Sequence, residues 1–96
     1  MPKSSYGPRA FCVTCPDIPT FTATIKGRPR WALERLMQAG REGLTSMTDP
    51  APRWAAYVHR LRGAGLLIET MHEAHGGPFP GSHARYRLAC KVEPVA

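Results

Sequence analysis

The chain has 96 residues, 43% of them hydrophobic, and its 13 Lys and Arg against 7 Asp and Glu leave a formal charge of +6. That length suits one domain with a small core, able to bury roughly two thirds of its unfolded surface, and argues against a deep catalytic cavity. No run approaches the roughly 18 apolar residues of a membrane span, and the first ten residues lack the apolar stretch of a secretory leader, so a cytoplasmic protein with no membrane partner is expected. Three cysteines are an odd number, and without an oxidising compartment disulfide stapling is not expected. The basic balance favours polyanionic partners, nucleic acid first and an anionic membrane surface second.

Along the chain, residues 1–20 hold Pro2, Pro8, Pro16 and Pro19 with Ser4, Ser5 and Gly7, which reads as an extended N-terminal arm. TFTATI, residues 20–25, alternates apolar and hydroxyl side chains and suits a short strand or extended lead-in. GRPRWALERLMQAG, residues 27–40, reads as a helix, with Pro29 near its first turn, Gly40 at its stop, and Ala32, Leu33, Leu36 and Met37 on one stripe. Residues 44–48 are too few for an ordinary helix before Asp49 and Pro50, leaving one turn or a bridge strand.

A second helix is expected over residues 51–64, with Asp49 able to cap it, Pro50 leading in, and Gly63 and Gly65 at its end. At 100° per residue Trp54, Val58 and Leu61 fall in one sector with Tyr57 at its flank, while Pro52, Ala56, His59, Arg60 and Gly63 lie opposite. Residues 66–75 and 82–90 alternate partially and flank the Gly/Pro-rich loop 76–81, which reads as a hairpin; Gly76, Gly77 and Gly81 suit positive-φ positions at its tip. The last six residues carry no signal.

Helix, short element, helix and hairpin is the order of a winged helix-turn-helix. In that plan a helix enters the major groove while a hairpin wing touches backbone or minor groove. Arg53, Arg60 and Arg62 suit phosphate or guanine, Ala55 and Ala56 keep the helix surface low, and His59 adds a donor. His75, Ser82, His83 and Arg85 occupy the expected wing, and Lys26, Arg28 and Arg30 precede the first helix as a basic strand that could follow the DNA backbone. The bland alternative is that these cations are solvated surface residues.

The run APRWAAYVHRLRGAGLLIETMHEAHGGPFPGSHARYRL, preceded by GRPRWALERLMQAGREGLTS, resembles the small winged helix domain proteins of bacterial and phage genomes. Their pattern is a first helix ending in Ala-Gly, then Gly-Leu/Ile-Thr-Ser, a helix carrying Leu-Arg-x-x-Gly, Ile-Glu-Thr, and a His- and Gly-containing wing closed by Ala-Arg-Tyr-x-Leu. The likeness covers residues 27–88. It implies that Leu61, Arg62 and Gly65 mark the exit of the recognition helix, that residues 68–70 and 84–88 form the wing strands, and that the role is DNA-binding or regulatory. The departure from the pattern is a nearly absent helix between residues 45 and 50.

Cys12 and Cys15 have the spacing of a zinc knuckle or a redox dithiol. Zinc needs two more ligands, which Cys90 with His72 or His75 could supply only if the arm folds back on the hairpin. His72 and His75 are three apart and face opposite sides of a strand, and His59 and His83 stand alone. No nucleophile elbow, phosphate loop or carboxylate pair supports an enzyme, and no cofactor is implied. Trp31, Trp54 and Tyr57 read as core or core-edge residues rather than stacking platforms.

The expectation is therefore an α+β winged helix-turn-helix with a shortened second helix and a C-terminal β-hairpin wing: arm 1–20, domain 21–92, tail 93–96. Its core should include Leu33, Leu36, Met37, Leu44, Trp54, Val58, Leu61, Leu67 and Leu88. The expected function is double-stranded DNA binding without catalysis, by a small bacterial or phage-derived transcriptional regulator. A protein–protein interaction module on the same scaffold is the alternative, and thiol or zinc chemistry through Cys12 and Cys15 is the one foothold for an enzyme.

Overall fold

The structure is a computed structural model that describes residues 7–45, 53–75 and 81–95, with the side chains of His75, Gly81 and Ser82 outside the description. The described elements run β1 Arg9–Thr14, β2 Phe21–Ile25, α1 Arg28–Ala39, a 3-10 turn Gly40–Glu42, β3 Leu44–Thr45, α2 Trp54–Gly63, β4 Ile68–His75, β5 Gly81–Leu88 and β6 Lys91–Pro94. They build two antiparallel three-stranded sheets, ordered β2-β1-β6 and β3-β5-β4.

The alternation in TFTATI emerges as β2, whose Ala23 and Ile25 are buried and whose Thr22 and Thr24 are exposed. The N-terminal segment corrects the expectation of an arm. Arg9–Thr14 is the central strand of the first sheet, with Phe11 and Val13 fully buried. The prolines that suggested an arm, Pro8, Pro16 and Pro19, flank the strand and leave its hydrogen-bonding groups intact. The supposed tail is corrected as well: β6 pairs with β1, opposing Val92 to Val13 and Lys91 to Thr14, and Val92 is buried.

Helix α1 starts after Gly27, whose carbonyl accepts the backbone N–H groups of Arg30 and Trp31. It buries Ala32, Leu33 and Leu36, while Met37 packs partly buried at the edge. Helix α2 buries Trp54, Val58 and Leu61, the sector its periodicity predicts. Residues 46–52, where the shortened helix and the Asp49 cap were expected, lie outside the described residues.

After α2, Gly65 (φ +101°) turns the chain into β4 with Leu66 and Ile68 pointing inward. Strand alternation then sends Leu67 outward, where it is 48% exposed, so Leu67 is not the core residue expected. Leu88 and Tyr86 are half-buried against the core from β5. The hairpin is present, with Glu73 opposite His83 and Glu69 opposite Arg87, and its loop residues 76–80 lie outside the description. The second strand ends at Leu88, so Cys90 belongs to the connection to β6.

One glycine is demanded by the packing between the 3-10 turn and β5. Gly43 has φ +71°, and a Cβ there would stand 2.3 Å from the Tyr86 carbonyl oxygen, a backbone atom with no rotamer to yield. Gly40 has φ +60° but nothing within 4 Å. Gly43→Ala is therefore expected to cost about 3 kcal/mol or more and Gly40→Ala about 1 kcal/mol in urea unfolding, because only the first adds a collision to the left-handed strain.

Candidate nucleic-acid interface

The outward face of α2 carries Ala55, His59, Arg60 and Gly63, all exposed, with Ala56 half-buried and Arg53 exposed at the helix entry. Arg53 and Arg60 are seven residues apart, two turns or about 10 Å along the axis, and share one flank. Among the described residues neither guanidinium, nor the His59 ring, nor the Lys26 ammonium makes a hydrogen bond or ion pair. Lys26 and Arg60 border one cleft of about 200 Å³, floored by Ile25, Pro29 and Leu61. The end of β2, the start of α1 and the second half of α2 thus bring two distant cations together.

Arg28 sits on the same side. Its guanidinium lies 4.7 Å from the Trp31 ring centroid and 5.9 Å from that of Tyr57, and its Nε donates to the Tyr57 hydroxyl at 3.4 Å. The two rings, set edge-on to each other, hold the cation at the surface and leave its charge uncompensated. The tyrosine was legible as a core-edge residue; its role as a seat for Arg28 depends on how the two helices cross.

The other expected contact residues are engaged within the protein. Arg30 Nε donates to Glu34 at 2.9 Å and its Nη1 to the Gly7 carbonyl at 3.0 Å, while Arg9 reaches the same Glu34 at 3.1 Å. Arg62 points away from the Arg53–Arg60 flank. Its Nη2 donates to the Ile68 carbonyl at 2.6 Å and the Thr70 hydroxyl at 2.7 Å, tying the end of α2 to β4.

On the hairpin, Glu73 accepts from Arg85 Nε at 2.6 Å and lies 3.2 Å from His83 Nε2, and Arg85 Nη1 also donates to the Glu42 carbonyl at 3.0 Å. Arg87 pairs with Glu69 directly opposite. Cross-strand geometry puts Glu69 and Glu73 on one face with His83, Arg85 and Arg87, so that face is largely self-neutralised. The Arg85 hydrogen bond and charge, aided by His83, hold the Glu73 carboxyl below its ordinary value, and Glu73 in turn raises Arg85. The positions of the His75 and Ser82 side chains fall outside the description.

Cys12 and Cys15, three apart on an extended chain, face opposite sides of the first sheet, so the expected knuckle spacing brings no pair together. Among the described residues no three His, Cys, Asp or Glu side chains converge on a metal position. Cys15 is instead near Cys90, whose thiol burial pushes up to about 11 and keeps protonated at neutral pH. Among the described residues no helix is long and apolar enough to cross a membrane.

The hairpin salt link has a signed pH dependence. A carboxyl held below its ordinary value contributes stability above that value, near 4.5, and loses it as the pH falls through the folded-state value. Glu73→Gln is expected to lower Tm at pH 7 and to become indistinguishable from the wild type in strong acid, measured by circular dichroism melts across pH.

Comparison with curated proteins and with solved structures gave no match. A family model described as a winged helix domain matches residues 22–96, which runs from the second residue of β2 to residue 96 and leaves β1 outside. Two helices, a β-hairpin and an exposed basic flank on the second helix agree with that match, and the chain belongs to the winged helix domain family, whose members generally bind DNA.

Proposed function

We propose that this protein binds double-stranded DNA with the outward face of α2, as a non-catalytic regulator of the kind found in bacterial and phage genomes. The observation that carries the reading is the segregation of charge. Arg30, Arg62, Arg85 and Arg87 are bound to protein acceptors, whereas Arg53, Arg60 and Lys26 project from one side with no acceptor among the described residues. An unbonded arginine can meet phosphate or guanine without first breaking an internal link.

In this reading Arg53 and Arg60 hold phosphates at the mouth of the groove, Ala55 and Ala56 allow the helix axis close to the base edges, and His59 adds a donor between them. Lys26 and Arg28 meet the phosphates beside it. Arg30, Arg62 and Arg85 act by holding the interface in shape, and His83 by sharing the Glu73 carboxylate. His75 and Ser82 belong to the hairpin end expected to reach the flanking backbone.

Fluorescence anisotropy of a labelled random duplex, titrated at several salt concentrations, tests this. Micromolar binding that weakens steeply with salt is expected. Arg53→Ala with Arg60→Ala should lower the slope of log K against log salt by roughly 2, since each phosphate contact contributes about 0.9. Arg62→Ala should lower Tm while leaving the slope unchanged. Absence of binding at low salt would overturn the reading and favour a protein-interaction module.

A further inference from the structure

We propose that Cys15 and Cys90 form a reversible disulfide that clamps β1 onto the winged helix domain. The ladder between β1 and β6 pairs Phe11 with Pro94, Cys12 with Glu93, Val13 with Val92 and Thr14 with Lys91; Cys15 and Cys90 are the residues next beyond its last pair, where the same register carried on would set them opposite each other. Directly opposed residues of an antiparallel pair share a face and hold their Cα atoms about 4.5 to 5.5 Å apart, within the span a disulfide requires.

Burial agrees with the register. Phe11, Val13 and Cys15 are buried on one face of β1, Val92 is buried opposite Val13, and Cys90 is half-buried against the same core. Both thiols are free, and they lie near enough to interact. They line one cavity of about 890 Å³, together with Arg41, Glu69 and Arg87, through which a small oxidant reaches them. Cys12 lies on the other face and takes no part.

The oxidant is hydrogen peroxide. The Cys15 sulfur attacks one peroxide oxygen as its thiol proton passes to the departing oxygen, the O–O bond breaks, and a sulfenic acid and one water form. The Cys90 sulfur then attacks the Cys15 sulfenic sulfur as its proton passes to the departing hydroxyl, the S–O bond breaks, and a second water leaves. A dithiol reductant reverses the step by exchange.

The bond joins the residue after β1, outside the family match, to the residue before β6, inside it, closing nearly the whole domain in one loop. Its effect is to remove the freedom of β1 to leave the sheet.

The test treats the purified full chain with hydrogen peroxide, alkylates the remaining thiols and maps peptides by mass spectrometry, for the wild type and for Cys12→Ser, Cys15→Ser and Cys90→Ser. The expected result is a monomer with a Cys15–Cys90 linked peptide and Cys12 still alkylated, unchanged in Cys12→Ser. Oxidised wild type should melt at least about 5 °C higher than reduced, and dithiothreitol should reverse the shift. Alkylation of both Cys15 and Cys90 after peroxide, a bond that includes Cys12, or crosslinking only between chains would overturn the proposal.

Discussion

The aromatic cluster around Trp54 is the contact on which the arrangement of α1, α2 and the hairpin depends. The Trp54 ring lies 5.5 Å from that of Trp31 on α1, 6.2 Å edge-on from Tyr57 one turn along its own helix, and 6.4 Å from Tyr86 of β5 in a stacked orientation. Burying an indole is worth about 4 to 6 kcal/mol, and each aromatic pair adds about 0.5 to 1.5 kcal/mol. A surface ion pair such as Arg9 with Glu34 contributes about 0 to 1 kcal/mol. The aromatic contacts therefore set the angle at which α2 is displayed, and the ion pairs trim it.

The same cluster connects packing to the proposed function. Trp31 and Tyr57 turn their outer surfaces to Arg28, so the side of the cluster away from the core seats a cation. On the opposite flank Arg62 reaches β4 and locks the helix end. One side of α2 is thereby committed to the fold, and the other is left with Arg53, His59 and Arg60 facing solvent. The net charge of +6 alone does not convey this partition, because it counts Arg62, Arg85 and Arg87 together with Arg53 and Arg60.

A second constraint comes from β1. Its Phe11 and Val13 complete the core beneath α1, and it alone joins β2 to β6, so the first sheet exists only with this strand in place. The family match begins at residue 22, and β1, which lies outside it, pairs with the edges of both β2 and β6.

Local chemistry was enough to read the helices, the hairpin and the inward residues Leu33, Leu36, Trp54, Val58 and Leu61, since helix and strand periods act over a few residues and glycine and proline punctuate them. The element order, and then the resemblance, supplied the winged helix plan, and the helix wheel placed His59 and Arg60 on an outward face. What only the tertiary structure decided were pairings between distant residues. Strand β1 found partners at β2 and β6, Leu67 yielded its core place to its neighbours, and Cys15 came to line one cavity with Cys90. Arg30, Arg62 and Arg85 were drawn into internal hydrogen bonds for the same reason: a sequence names the donors, but only the folded backbone brings acceptors such as the Ile68 and Glu42 carbonyls within reach.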